Sequence, residues 1–326
     1  ANGGDVMRRT ETGRKGFLAL NAGKDCRDID IGSEAGRADA LALAATCDVV
    51  VDNLRPGVLE RFGLGFEAVR AVNPRVVYCS ISGFGRGSAD WSGRPAYDHV
   101  IQAATGMTFL AGNENDPPIK TGFPVVDAAT GMQAALSILA GLRERDRCGC
   151  AIQLDISMTG AAMQLMYGFA CEALTDGTSP SRVGNRGYSG SPTADFFPTT
   201  DGWIALGANT PRQLLRLLEV LELSELAADP AYFAEPLDAE SPTTFVRSRD
   251  PAALKTIIAQ RLQMLRADEL EERLATRGVP AAKVRKLGEF AEAALGHGRI
   301  STVTLRDGDT EVMSPGLGFG ARRHPG

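Results

Sequence analysis

Histidine is scarce in this chain, with three in 326 residues, and the six cysteines are scattered without a Cys-x-x-Cys pair. That leaves too few soft ligands at metal spacing for a structural zinc centre. It also gives no disulfide framework, so reduced thiols acting as small apolar filler are expected. A basic excess is absent too: 35 Lys and Arg stand against 40 Asp and Glu, a net charge of -5. Bulk charge therefore points away from nucleic acid, and any anionic ligand must be met by local cations. No unbroken apolar run is long enough to cross a bilayer, no charged-then-apolar leader is visible, and no internal repeat is found. These absences together point to the cytoplasm and away from membranes. An initiator methionine is also lacking, and the first residues, Ala1-Asn2-Gly3-Gly4-Asp5, are polar. An α/β domain normally opens on a buried strand, so a preceding segment is expected.

Hydrophobic residues make up 44% of the chain, enough for a sizeable core and two domains. Leu18–Asn21 reads as a short strand, Ser33–Thr46 as a helix and Cys47–Asn53 as a buried β-branched strand. Pro56-Gly57 opens a helix that Gly63 ends, residues 66–72 form another, and Arg75–Ser82 is a second buried strand. Strand–helix–strand alternation implies a parallel sheet with right-handed crossovers. Further helices are expected over Tyr97–Leu110, Ala128–Leu142 and Met158–Ala173, with a strand at Ala151–Ser157. Residues 175–192 are rich in Gly, Ser, Asn and Arg, a linker or a functional loop. Beyond them lie a strand at Gly202–Gly207 and amphipathic helices at 212–221, 251–262 and 267–277. The expected organisation is a large Rossmann-like domain over 1–190, a smaller α/β domain over 191–287 and a return segment over 288–326.

Asp127 is the residue on which the chemistry turns. Apolar and turn-forming residues precede it, and an Ala-, Leu- and Met-rich helix follows. A carboxylate at a helix start is either an N-cap or a tool, because free N–H groups and the helix dipole favour negative charge there. Asp52-Asn53-Leu54-Arg55-Pro56-Gly57 follows a buried strand and opens a helix, where open α/β sheets bind ligands. Asn53 offers an amide, Arg55 and Arg61 offer cations, and Phe62 a flat face, which suits a ligand bearing phosphate and a base. The bland alternative is a solvated helix start. Ser82-Gly83-Phe84-Gly85 is a Gly-rich turn that permits close approach. Tyr97 has a hydroxyl to donate into a cleft. His99 is the natural candidate base, against half-buried helix positions for both. Three glycines, Gly184, Gly187 and Gly190, fall within seven residues and suit either a mobile lid or a linker.

Taken in order, these fragments resemble family III CoA-transferases, which include formyl-CoA and carnitine-type transferases and the related α-methylacyl-CoA racemases. The resemblance runs from Gly3-Gly4-Asp5 through Asn53-Leu54-Arg55-Pro56-Gly57, Gly83-Phe84-Gly85 and Tyr97-Asp98 to Asp127 and Gly131. It continues at Gly278-Val279-Pro280-Ala281-Ala282. It implies that Asp127 is a covalent nucleophile. Asn53, Leu54, Arg55, Arg61, Phe62, Arg94 and Tyr97 would then hold coenzyme A, and the loop of Gly184, Gly187 and Gly190 would shield the site. It implies as well an interlocked homodimer, coenzyme A or acyl-CoA as substrate, and no prosthetic group or metal.

The implied reaction passes CoA from a thioester donor to a carboxylic acid through an aspartyl anhydride and an aspartyl-CoA thioester. Its oxyanions would take N–H donors from the helix start at Asp127 and from the glycine loops. Arg94, Lys120 and Arg186 favour a dicarboxylic acid. Two alternatives stand beside it. A 2-methylacyl-CoA racemase needs two bases, but this chain has Tyr97 where that branch carries histidine, with His99 two positions off. The other is a CoA-binding protein without catalysis.

Overall fold

The computed structural model describes residues 5–9, 11–87, 90–187, 189–241, 245–298, 300–308, 310–316, 318 and 320. Ala1, Asn2, Gly3 and Gly4, quoted above, lie outside the described residues. The chain forms two compact units. The first comprises Ala1–Ala111, Asn115–Arg182 and Thr302–Pro315, the second Gly112–Glu114, Val183–Ser301 and Gly316–Gly326.

In the first unit, helix α1 spans Glu11–Asn21. It replaces the strand expected at Leu18–Asn21, because Leu and Ala favour a helix at least as well and a four-residue apolar run carries no period of its own. Ser33 caps α2 (Glu34–Ala44), its side chain accepting from Gly36 N. Strand β1 (Val49–Asp52) leads through short helices α3 (Val58–Arg61) and α4 (Phe66–Val72) to β2 (Val77–Ser82). Helix α5 is Asp98–Ala104, shorter than expected, because Gly106 turns into the left-handed region (φ 79°) and a 3-10 turn follows. Helix α6 then runs over Val125–Cys148 into β3 (Ile152–Ser157). The helix expected at 158–173 is two, α7 (Met158–Leu165) and α8 (Tyr167–Asp176).

The three strands form a parallel sheet in the order β1-β2-β3, with Asp52 opposite Ser80 and Ser80 opposite Asp155. Helix α6 lies on β2 and β3. It comes close because Gly141 faces them: a Cβ there would sit 3.1 Å from Val77 Cγ1 and 3.3 Å from Leu154 Cδ1. By length and composition α6 could cross a membrane, the one such helix among the described residues. The sequence showed no such run because Thr, Gly and Gln interrupt it, and the average passes where the unbroken run does not. Buried Val126, Thr130, Ala134 and Gly141 make α6 a sheet-packing helix of this unit.

The second unit holds an antiparallel sheet of β4 (Phe196–Thr199), β5 (Gly202–Leu206) and β6 (Ala281–Lys283). Helices α9 (Pro211–Leu221), α10 (Pro251–Leu262), α11 (Ala267–Thr276) and α12 (Leu287–Gly296) complete it. Thr210 and Gln213 form a capping box on α9, whose Leu214, Leu217, Leu218 and Leu221 are fully buried at helical spacing. Strands β4 and β6 escaped the sequence reading. Pro198 argues against a strand until it is placed beside an edge, and three residues carry no readable alternation. Near the end of the chain a hairpin, β7 (Thr302–Asp307) and β8 (Thr310–Pro315), packs against α1 within the first unit.

The thiols correct the sequence reading. Cys148 and Cys150 form a disulfide across the turn at Gly149 (φ 70°). Of the free cysteines only Cys79 is buried filler; Cys26, Cys47 and Cys171 are exposed.

Candidate active site

Parallel strands aim their carboxyl ends the same way, so the loops that follow them converge on one edge. Here they bound a cleft of about 540 Å³. The loop after β1 contributes Asn53, Leu54, Arg55 and Pro56, and the end of β2 contributes Ile81, Ser82 and Gly83. Arg94 through Tyr97 come from the segment before α5; Asp127, Thr130 and Gly131 from the first turns of α6; Met158 from the start of α7. The structure therefore brings Asn53, Leu54, Arg55, Arg94, Tyr97 and Asp127 together. Arg61 and Phe62 are not among the lining residues; Arg61 is exposed at the end of α3 and Phe62 half-buried just after it.

The loop after β1 is shaped by Asp52, which the sequence reading passed over. The residue is 4% exposed, and its Oδ1 accepts from Leu54 N at 2.8 Å, an Asx turn that sets the box. Burial pushes the Asp52 carboxyl upward, opposed by the Leu54 hydrogen bond and by Arg86. Arg86 lies 3.7 Å from Asp52 Oδ2 and donates to Glu60 Oε1 at 2.5 Å and Ser80 Oγ at 3.1 Å. Asn53, Leu54 and Arg55 remain exposed.

Arg94, also lining the cleft, lies over the Trp91 ring, 4.7 Å from its centroid, and its Nε donates to Asp90 O at 3.1 Å. Tyr97 is 73% exposed and stacks with His99 at 6.2 Å between centroids. Both rings are exposed, so neither takes the half-buried helix position that stood as the alternative reading. His99 is not among the residues lining the cleft.

Asp127 is the third residue of α6, and it does not cap it. The buried carboxylate of Asp98, from the start of α5, accepts from Val126 N at 2.8 Å and from Asp127 N at 3.0 Å through Oδ2. Gln102 donates to Asp98 Oδ1 and to Thr121 Oγ1 at 2.9 Å, while its Oε1 accepts from Thr121 N at 2.9 Å. The neighbouring amides are also occupied: Val125 N donates to Phe123 O and Ala128 N to Pro124 O. The start of α6 therefore has no amide left for an oxyanion, contrary to expectation. The Asp127 carboxylate has no hydrogen bond or ion pair among the described residues. Desolvation by the cleft walls raises its pKa above the ordinary aspartate value, and the Asp98 charge adds to the shift. Nothing in the sequence marked Asp98 as a cap for a helix that starts 27 residues later; an Asp in the first turn of α5 reads as serving α5.

The glycines Gly184, Gly187 and Gly190 belong to the second unit, as does Arg186. Gly184 has φ 63°, donates to Gly112 O at 3.0 Å, and an added Cβ would meet Asn113 Oδ1 at 2.7 Å. Gly187 donates to Ala194 O at 2.6 Å. Lys120, in the first unit, donates to Thr121 O at 3.1 Å. Among the described residues no group of His, Cys, Asp or Glu is placed to hold a metal ion. The cleft thus combines an unpaired carboxylate, two guanidinium groups, an amide and a phenol.

Comparison with known proteins gives this arrangement a family context. The model of a family described as CoA-transferase family III matches residues 1–326. Succinyl-CoA:mesaconate CoA-transferase of Haloarcula hispanica is 34% identical over 220 residues, covering 65% of this chain and 54% of that protein. Succinyl-CoA:glutarate CoA-transferase of Mus musculus is 29% identical over 282 residues, covering 86% of this chain and 62% of that protein. The match therefore spans little more than half the length of these relatives. The crystal structure of Rv3272 from M. tuberculosis, orthorhombic form, superposes with a TM-score of 0.80 at 25% identity, covering 99% of this chain and 83% of that one.

Proposed function

The chain belongs to CoA-transferase family III, and from that premise we propose that it moves coenzyme A from an acyl-CoA donor to a carboxylic acid, with Asp127 as the nucleophile. The observation that carries this reading is the unpaired Asp127 carboxylate in a cleft shared with Asn53, Leu54, Arg55, Arg94 and Tyr97. A carboxylate is a weak nucleophile in water, and partial desolvation improves it.

In the proposed sequence an Asp127 oxygen attacks the thioester carbonyl carbon. The C–S bond breaks, CoA thiolate leaves with its electron pair, and a mixed anhydride remains. The thiolate then attacks the aspartyl carbonyl, which releases the donor acid as carboxylate and leaves an aspartyl-CoA thioester. The acceptor carboxylate attacks that thioester and expels the thiolate. The thiolate finally attacks the acceptor's acyl carbon, freeing Asp127 and the new acyl-CoA. No net proton is gained or lost. Asn53 and Arg55 would hold the coenzyme from the loop after β1, with Arg61 and Phe62 serving its far end. Arg94, with Lys120, would favour an acceptor with a second carboxylate. Since the amides at the start of α6 are taken, oxyanion donors fall to glycine backbone.

The proposal includes the domain organisation expected from the sequence, a homodimer and a cytoplasmic setting. Large apolar side chains on the first unit support the dimer: Met132, Leu136 and Leu139 on α6 are 73%, 70% and 65% exposed, and Tyr167 and Leu174 on α8 are 64% and 79% exposed.

A panel of acyl-CoA donors and mono- and dicarboxylic acids, read by mass spectrometry, tests the reading. Hydroxylamine quenching should leave an Asp127 hydroxamate that depends on donor. Incubation with a 2-methylacyl-CoA in deuterated water should place no deuterium at Cα; uptake would instead favour proton-transfer chemistry.

A further inference from the structure

Among the described residues, Asp98 offers the one buried carboxylate that touches the backbone of the proposed nucleophile. Each of its neighbours is a donor: Gln102 Nε2 at Oδ1, and Val126 N and Asp127 N at Oδ2. An ionised carboxylate accepts only, so this donor set matches the charged form. Gln102 is itself held at both ends of its amide by Thr121, whose Oγ1 donates to Phe123 O at 2.7 Å. The segment that leads into α6 is thereby clamped to α5.

Two consequences follow for Asp127. Its own amide is tied down, which fixes where its Cα sits at the rim of the cleft. Its carboxylate also loses the usual local partners of a residue near a helix start, since Asp98 already takes the first-turn N–H groups. A carboxylate engaged in capping would be stabilised as a ground state and turned away from substrate. We propose that Asp98 is a positioning residue: it caps α6 from a neighbouring helix so that Asp127 is held in place and its carboxylate is left free for attack. This rests on the reading of Asp127 as nucleophile.

The test measures Asp98→Ala and Asp98→Asn against wild type and Asp127→Ala. Hydrogen exchange by NMR reports the Val126 and Asp127 amides, independently of activity. Steady-state kinetics report kcat and KM for the acyl-CoA donor. In Asp98→Ala both amides should lose protection. The kcat should fall on the order of 10²-fold, the scale of a small misplacement of a reacting group, with KM nearly unchanged. Asp98→Asn keeps one acceptor oxygen and should recover part of both effects. Its acidic kinetic limb should also move to lower pH. One of the two causes that raise the Asp127 pKa is removed, while Arg55, Arg94 and Tyr97 still line the cleft and the α7 contribution, Met158, is uncharged.

Protected amides in Asp98→Ala, or lost protection with unchanged kcat, would overturn the positioning role. If Asp98→Ala does not fold, Asp98→Asn decides: wild-type kcat with an unmoved acidic limb overturns it. Turnover retained in Asp127→Ala would remove the nucleophile reading, and the positioning role with it, whatever the amides show.

Discussion

Each unit holds an aspartate beside the start of a helix, Asp201 in the turn between β4 and β5 and Asp127 within the first turn of α6, and the two are used to opposite effect. In the second, Asp201 accepts from Ala267 N at the start of α11 and pairs with Lys283 at 2.9 Å. That hydrogen bond, with Lys283, holds the Asp201 carboxyl far below the ordinary aspartate value. In the first, Asp127 stands in the first turn of α6 but leaves the capping to Asp98, and its pKa is raised. A carboxylate that is satisfied stabilises a fold; one left unsatisfied in a cleft is available for chemistry.

The hydrophobic cores differ in the same sense. The second unit has one continuous cluster built on Leu214, Leu217, Leu221, Leu254, Ile258, Leu262 and Leu270. The first has several small clusters, one of Ile101, Met107, Val126, Ala162 and Met166, and it leaves large apolar side chains on α6 and α8 in solvent. The second unit is organised around its own interior. The first spends burial on polar groups such as Asp52, Ser80, Asp98 and Gln102, which shape the cleft.

The largest effect that would break this comparison is at Asp127. Asp127→Ala should lower CoA transfer on the order of 10⁴-fold or more, as expected for loss of a covalent nucleophile. Thermal melting should hardly change, because Asp98 carries the cap; a marked drop in melting temperature would return Asp127 to a structural role.

The next contrast is between cores. Leu217→Ala should destabilise the second unit by about 2–5 kcal/mol, the cost of a fully buried leucine. Leu136→Ala, on the open face of α6, should leave melting nearly unchanged and weaken self-association in sedimentation at low concentration. Equal losses of stability in the two variants would erase the distinction.

A smaller change is expected at the ligand end. Arg55→Ala should weaken coenzyme A binding by roughly 1–2 kcal/mol, about tenfold, in calorimetric titration. Unchanged affinity would move the coenzyme away from this loop.

The smallest effect has the clearest sign. The lowered pKa of Asp201 contributes stability that is full above the ordinary aspartate value and is lost as pH falls through the folded value. Asp201→Asn should therefore melt lower than wild type at neutral pH, with the gap closing in acid. The raised pKa of Asp127 works the other way: stability is present below the ordinary value and lost as pH rises through the folded one. Asp127→Asn should equal or slightly exceed wild type at neutral pH, within about 0.5 kcal/mol. Parallel pH curves for the two variants would show that the aspartates are not opposed.

Much of the architecture was legible because it rests on local pattern. Val49-Val50-Val51 bounded by polar residues reads as a strand, although it is not the buried one expected, since β1 edges the sheet and leaves Val51 55% exposed; the leucines of α9 recur at helical spacing, whatever surrounds them. The order of strands and helices then implied the parallel sheet, and the position of Asn53-Leu54-Arg55 after β1 implied a ligand edge. Short or ambiguous segments were not legible: Leu18–Asn21 joined a helix, and β4 and β6 exist only because β5 lies between them. Nor was the partnership of Asp98 with the first turn of α6. Residue type and spacing determine what an aspartate can do at the start of a helix. Only the tertiary structure decides which carboxylate takes the free amides, because hydrogen bonds form between groups that packing brings within 3 Å, and α5 and α6 meet through packing and not through sequence.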